Sequence, residues 1–126
     1  MQSRHRWDGR ENVTTARKEQ WQRGRILQVL KDNGALVDPM AFGLLLRTLD
    51  NLGISLSADS LRPRLEYLAK KKYLGLRRRK DLPGYEQQRT ESGAGRPSDV
   101  IAVGLTPEGQ DLVDGTIDRD PGIDFE

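Results

Sequence analysis

The chain has 126 residues, which is enough for one domain with a single small core. Apolar residues make up 35% of it and charged residues 32%, so we expect a modest core and polar ends. The formal net charge is only +2, but residues 57–99 carry eleven basic and six acidic side chains, whereas residues 100–126 carry one and seven. A basic body with an acidic tail is common in nucleic-acid binders, although a solubilising tail beside an ordinary surface helix has the same pattern.

The first predicted element is a helix that follows a polar amino-terminal arm. Residues 1–14 are polar and lack periodicity, so we predict that they form a flexible arm. Thr14 or Thr15 can cap a helix that continues to Asp32 or Asn33, with Gly34 as its left-handed stop. The predicted inward face consists of four apolar residues: Ile26, Leu27, Val29 and Leu30.

Trp21 does not fit the apolar pattern of this helix. At about 100° per residue it lies roughly opposite the face of Ile26 and Leu30. Three interpretations are open: a helix broken near Gly24, an exposed indole, or an indole buried against a second subunit. The third is favoured because an exposed indole loses most of its burial energy, so Trp21 is the predicted dimer contact.

A short strand and a second helix are predicted next. Ala35, Leu36 and Val37 form an apolar link that suits one small strand. Asp38 and Pro39 have the residue types of a helix N-cap and first turn. Four apolar residues then follow core spacing, and Gly53 stops the helix. These residues are Phe42, Leu45, Leu46 and Leu49.

The third predicted helix is the most basic part of the chain. Ser57 can cap it, and it is expected to run from about Ala58 to Tyr73 with Pro63 near its first turns. Leu61, Leu65 and Leu68 share its inward face. Nine Lys or Arg residues and a single acidic residue lie between positions 62 and 80. This density of positive charge suits a polyanion better than a small substrate.

The remainder predicts a β-hairpin, a short helix and a tail. Leu74 to about Arg79 alternates as a strand does, and residues 100–105 form a second apolar strand. A long polar loop, residues 81–99, joins them. Thr106 and Pro107 begin a fourth helix that ends at Gly115. We therefore predict a domain over residues 15–115 and an acidic tail over residues 116–126.

The order helix, small strand, helix, turn, helix and hairpin resembles the winged helix-turn-helix fold. The resemblance is strongest in LEYLAKKKYLGL (residues 65–76) and in GRPSDVIAVGLTPEGQDLV (residues 95–113). The latter is similar to the wing, strand and following helix of small ArsR, MarR and PadR regulators. Size and the Asp-Pro-Gly-Ile tail also resemble small winged-helix proteins of Mu-like phages. The resemblance implies an α+β, mainly α fold with a three-helix core, a hairpin wing and a short carboxy-terminal helix.

The same resemblance implies a transcriptional regulator that binds double-stranded DNA as a homodimer. The third helix would enter the major groove, and the wing would contact the backbone or minor groove. Arginine suits both guanine and phosphate, and Arg96 in a Gly-Arg-Pro loop suits a narrow minor groove. The predicted DNA contacts are Ser60, Arg62, Arg64, Tyr67, Lys70, Lys71, Arg78 and Arg96. The alternative for the arginines of the third helix is an ordinary solvated surface, and the alternative for Arg96 is a plain disordered loop.

Other classes of function have little support in the sequence. One histidine, no cysteine and no spaced carboxylate pair leave no acid–base constellation, so we expect no enzyme, cofactor or metal. No apolar run approaches the roughly 18 residues of a membrane span, and we expect a cytoplasmic protein. The alternative function is a winged-helix protein-interaction module, for example a phage accessory protein that does not bind DNA.

Overall fold

A computed structural model of the chain describes residues 9–81 and 99–125, with side chains from residue 15 onward. Within these ranges the elements are α1 Gly9–Asp32, β1 Met40–Ala41, α2 Phe42–Asn51, α3 Ala58–Lys70, β2 Leu74–Arg78, a 3-10 turn Arg79–Asp81, β3 Val100–Leu105 and α4 Pro107–Asp114. The strands form one antiparallel sheet in the order β1-β3-β2. The fold is therefore α+β and mainly helical, as predicted, and it is compatible with a winged-helix arrangement.

The core forms where the apolar faces of the first three helices meet β3. The predicted faces of α1 and α3 are confirmed, because every one of their members is buried. On α2 only Leu45 and Leu49 are fully buried, while Phe42 and Leu46 pack partly exposed against the core. Each fully buried aliphatic side chain stabilises the fold by about 1.5–3 kcal/mol relative to an exposed one.

Helix α1 is longer at its amino terminus than predicted. It begins at Gly9 rather than at Thr14 or Thr15, so residues 9–14 belong to the helix and not to an arm. Once the apolar face is anchored in the core, extending a helix costs little, and these residues contain no strong stop signal. Residues 1–8 lie outside the described ranges. The predicted end is confirmed, since Gly34 has φ 70°.

The strand predicted at residues 35–37 is wrong, as is the start of helix two at Asp38 and Pro39. The amides of Val37 and Asp38 both donate to the carbonyl of Gly34 at 3.1 Å, which makes this segment a turn. The strand is instead Met40–Ala41, paired with Val103 and Ala102 of β3. Pairing with β3 holds these two residues extended, so α2 begins only at Phe42.

Helix α3 begins as predicted and ends earlier than predicted. The Ser57 side chain accepts a hydrogen bond from the Ser60 amide at 3.1 Å, which confirms the cap. The helix closes at Lys70 with a Schellman pair: the Lys72 amide donates to Ala69 and the Tyr73 amide to Leu68. Lys72 takes the left-handed position at φ 69°, which usually holds glycine.

The hairpin strands and last helix follow the prediction closely. Strand β3 and helix α4 have the predicted limits, and the Thr106 side chain caps α4 by accepting from the Gly109 amide at 3.0 Å. Strand β2 ends at Arg78, one residue short of the predicted end. Residues 82–98 of the predicted loop lie outside the described ranges. Among the described residues, no helix is both long and apolar enough to cross a membrane.

Candidate nucleic-acid interface

The outer face of α3 carries charges of both signs. Opposite the buried leucines lies an exposed stripe of Asp59, Pro63, Glu66 and Lys70, as the helical period requires. Helix α3 continues through Pro63 to Lys70, although the proline removes one backbone donor from the helix. A polyanion that approached this stripe would meet two carboxylates, so their partners decide whether the face can bind phosphate.

Each carboxylate of this stripe is neutralised by a neighbouring arginine. Arg62 donates to Asp59 at 2.7 Å, and Arg78 of β2 donates to Glu66 at 2.9 Å. These four side chains are solvent-accessible, so the pairs contribute about 0–1 kcal/mol each. Arg62 Nε is buried and lacks a hydrogen-bond partner among the described residues, and its guanidinium lies 5.6 Å from the ring of Phe42. Because an exposed pair of this kind is weak, Arg62 can exchange its carboxylate for a phosphate at low cost.

Arg64 faces α1 and not the exposed stripe. Its Nε donates to Gln22 Oε1 at 2.8 Å and its Nη1 to the Ser60 carbonyl at 2.7 Å. Gln22 is 5% exposed, so this hydrogen bond satisfies a buried acceptor. Ser60 itself accepts a hydrogen bond from the Ser57 hydroxyl at 3.0 Å. These contacts make Arg64 a brace between α1 and α3 rather than a side chain that projects outward.

Exposed cations surround the end of α3 and the start of the hairpin. Lys70, Lys72 and Lys80 are exposed and make no ion pair with any described residue. Arg78 lies on the α3 side of the sheet through its contact with Glu66. Arg77 lies beside Leu36, Val37 and Gly104 on the other side. Of the adjacent arginines, the predicted Arg78 is thus the one near α3.

Tyr67 and Lys71 both contact the carboxy-terminal segment of the chain. Asp120 accepts hydrogen bonds from Lys71 Nζ at 3.1 Å, from the Tyr73 hydroxyl at 2.8 Å and from the Gly122 amide at 2.8 Å. The guanidinium of Arg23 lies 3.8 Å from the centre of the Tyr67 ring. The two predicted contacts on this flank of α3 are therefore engaged within the chain.

The charges of this cluster shift one another's proton affinity. Burial alone would raise the pKa of Asp120, but hydrogen bonds from Gly122, Tyr73 and Lys71 outweigh it and the pKa is lowered. The hydrogen bond to Asp120 raises the pKa of Lys71. Burial, followed by the same carboxylate, raises the pKa of Tyr73. Near neutral pH the cluster therefore holds an ionised carboxylate beside an ammonium and a neutral phenol.

The two remaining predicted residues are Arg96 and Trp21. Arg96 falls outside the described residues. Trp21 is half-buried and packs against the chain's own core, with the Arg25 guanidinium 5.8 Å from its ring. A second subunit is not needed to explain the burial of this indole, which removes the main argument for Trp21 as a dimer contact.

Three residues of this surface were not predicted from the sequence: Asp120, Arg23 and Gly122. The carboxy-terminal segment was interpreted as an acidic tail because of its charge. The sequence does contain an apolar pattern that argues against a free tail: Ile123 and Phe125 follow a Pro-Gly turn at residues 121–122. In the structure Ile123 is only 6% exposed. An apolar residue at every second position indicates a segment that packs on the domain.

No protein-family model, curated protein or solved structure matches the chain. The family suggested by the sequence motifs therefore stays a prediction.

Proposed function

We propose that the protein is a winged-helix protein that binds duplex DNA and regulates transcription. The order of its elements and the antiparallel sheet β1-β3-β2 support this proposal. The observation that carries it is the group of Lys70, Lys72 and Lys80, three exposed cations without ion-pair partners among the described residues, beside a solvent-facing helix. Unpaired cations at one end of a helix and its adjoining hairpin fit the phosphates that flank a groove.

In this proposal α3 lies in the major groove with its amino-terminal half towards the bases. Arg62 breaks its ion pair with Asp59, and its guanidinium donates instead to a guanine or a phosphate. Lys70 and Lys72, at the far end of the helix, contact backbone phosphates and fix the position of the helix without reading sequence. Arg78 exchanges Glu66 for a phosphate, so the first strand of the wing follows the backbone.

The experiment is a fluorescence-anisotropy titration of the full chain against a short labelled duplex at low salt. Lys70→Gln is expected to weaken binding to all sequences alike, since a phosphate contact carries no sequence information. Lys31→Gln is the matched control, because it removes the same charge from the end of α1, where Lys31 pairs with Asp114. Equal effects of the two substitutions would contradict the assignment of Lys70 to the interface.

A second candidate function is a protein-interaction module of the same fold. It is favoured by intramolecular contacts that engage six of the eight predicted DNA contacts: Ser60, Arg62, Arg64, Tyr67, Lys71 and Arg78. Val37 is also 88% exposed next to the half-exposed Leu36, on a face that the DNA proposal does not use. Failure to bind duplex DNA at low salt would favour this candidate.

The homodimer is a separate part of the proposal. Two-fold symmetry would place two α3 helices about one helical turn of DNA apart and predicts a palindromic site. Light scattering at micromolar concentration tests this part alone. A dimeric mass supports it, and a monomeric mass contradicts it without affecting DNA binding by a single domain.

A further inference from the structure

Residues 116–125, which we call the C-terminal strap, return across α1 towards α3. The Asp124 amide donates to the Gln20 carbonyl of α1 at 3.0 Å, and Arg23 Nη1 donates to the Gly122 carbonyl at 3.0 Å. The side chain of Ile123 is buried in the core, and Phe125 packs against the core partly exposed. The strap is thus fixed to α1 by one backbone hydrogen bond, by one hydrogen bond from the Arg23 side chain and by apolar contacts.

The strap places one carboxylate on the flank of α3. The Asp120 side chain is 6% exposed, and its two oxygens lie 3.1 and 3.3 Å from Lys71 Nζ. The Tyr73 hydroxyl donates to it as well, at 2.8 Å. Lysine and tyrosine donors are also those that proteins direct at phosphate oxygens. Asp120 therefore satisfies donors that suit a DNA phosphate.

The strap also covers the aromatic residue next to this lysine. Gly122 lies so close to Tyr67 that a Cβ at position 122 would overlap the Tyr67 hydroxyl. Arg23 holds the Gly122 carbonyl while its guanidinium stacks on the Tyr67 ring. Tyr67 lies one helical turn before Lys71, the C-cap residue of α3, so the two side chains share one flank. The strap therefore shields part of this flank, while the Lys71 side chain stays 41% exposed.

We propose that the C-terminal strap is an autoinhibitory element in which Asp120 occupies, on Lys71, the place of a backbone phosphate. The inference rests on the proposed function, since it assigns the regulation of the same surface. A phosphate bound at Lys71 in the closed form would lie beside the Asp120 carboxylate, and the repulsion between the two anions opposes strap docking and phosphate binding at the same time. The closed form contacts DNA through the lysines and arginines named in the proposed function, and the open form adds Lys71.

The test compares Asp120→Asn with Asp118→Asn in the full chain. The two variants lose the same charge, but Asp118 is exposed in the strap and pairs with no described residue, whereas Asp120 holds Lys71. Freed Lys71 adds one phosphate contact, so the log–log salt slope of Asp120→Asn is expected to be steeper than wild type by about 0.9. The gain in affinity of Asp120→Asn over wild type is then about threefold larger at about 50 mM salt than at about 200 mM salt. Asp118→Asn should keep the wild-type slope.

The double variant Asp120→Asn/Lys71→Gln assigns the gain to Lys71, since it should return the slope to the wild-type value. Equal slopes for wild type, Asp120→Asn and Asp118→Asn, with all three bound to DNA, would overturn the inference and leave the proposed function intact. Absence of binding in every variant at low salt would instead refute the proposed function.

A second measurement uses only the wild type and so does not depend on how a variant folds. The amides of Ile123 and Asp124 donate within the closed arrangement, to the carbonyls of Asp120 and Gln20 at 3.0 Å each. Saturating duplex DNA is expected to speed hydrogen exchange at both amides as the strap is displaced. Unchanged protection at both amides while DNA is bound would overturn the inference.

Discussion

The carboxylate of Asp120 lies 3.1 Å from the ammonium of Lys71, although 49 positions separate the two residues in the chain. This ion pair joins the acidic end of the chain to its most basic helix. The uneven charge of the sequence is therefore partly neutralised inside the fold. Among the described residues, the exposed lysines without an ion pair on this side are Lys70, Lys72 and Lys80, at the end of α3 and in the 3-10 turn after β2.

Removal of the Asp120 carboxylate should destabilise the fold. Asp120→Ala removes hydrogen bonds from Lys71, Tyr73 and Gly122, and we expect a loss of about 1–3 kcal/mol in the free energy of unfolding. Urea unfolding measures it. Asp118→Ala, at an exposed position of the same segment, should stay within about 0.5 kcal/mol of wild type. Equal stability of the two variants would show that the carboxylate contributes nothing.

Low pH should remove the stabilisation that the Asp120 carboxylate provides. The folded-state pKa of Asp120 is lowered, so its stabilising effect is present above the ordinary carboxyl pKa of about 4 and is lost as the pH falls through the folded-state value. Unfolding of wild type and Asp120→Asn at pH values from about 7 to about 2 tests this. The advantage of wild type should shrink only below about pH 4. An advantage that does not change with pH would contradict the ion pair.

Gly24 and Gly43 should respond to alanine in opposite directions. Both lie in helices, where alanine is usually favoured over glycine by about 0.5–1 kcal/mol. A Cβ at Gly43 meets no atom within 4 Å, so Gly43→Ala should stabilise the protein. A Cβ at Gly24 would overlap the carbonyl of Asp124, so Gly24→Ala should displace the strap and destabilise the protein.

Thermal unfolding gives the sign of each change, and limited proteolysis reports release of the strap. A stabilised Gly24→Ala protein whose carboxy-terminal segment remains protected would show that the strap does not pack closely on α1.

Lys72 should be a position where stability and DNA binding oppose each other. Its left-handed φ of 69° carries a strain of about 1–2 kcal/mol that glycine avoids. Lys72→Gly is therefore expected to raise stability by about 0.5–1 kcal/mol, since the added chain entropy of glycine offsets part of the gain. The same change should weaken DNA binding by removing a phosphate contact. A stabilised variant with unchanged affinity would remove Lys72 from the interface.

Substitutions at Arg64 and Lys70 should separate effects on stability from effects on DNA binding. Arg64→Ala leaves the buried Gln22 oxygen without its donor and should cost about 1–3 kcal/mol of stability. Lys70→Ala, at an exposed position, should change stability by less than about 0.5 kcal/mol but weaken DNA binding. Thermal unfolding and anisotropy together check both variants. A fully stable Arg64→Ala protein that has lost DNA binding would place Arg64 in the interface.

Local signals in the sequence were sufficient to predict much of the fold. The Ser57 and Thr106 caps, the leucine face of α3 and the limits of β3 follow from residue type and period, and the structure confirms them. The strand at Met40–Ala41 could not be predicted in the same way, because only its pairing with β3 makes these residues extended.

The candidate site was harder to predict for the same reason. Helical period placed Lys70 on the exposed side of α3. It could not indicate that Arg64 turns towards Gln22 or that Lys71 pairs with Asp120, since these contacts join residues 42 and 49 positions apart. Contacts of that range depend on how the helices pack and on where the end of the chain lies.

The salt dependence of the affinity of the wild-type chain for duplex DNA tests the central claim most directly. If exposed cations of α3 and the hairpin neutralise phosphates, the logarithm of the affinity should fall linearly with the logarithm of salt concentration, by about 0.9 per phosphate contacted. Three or more phosphate contacts predict a slope whose magnitude is at least about 2.7. No detectable binding at about 50 mM salt, or an affinity independent of salt, would contradict the proposal that this protein binds DNA.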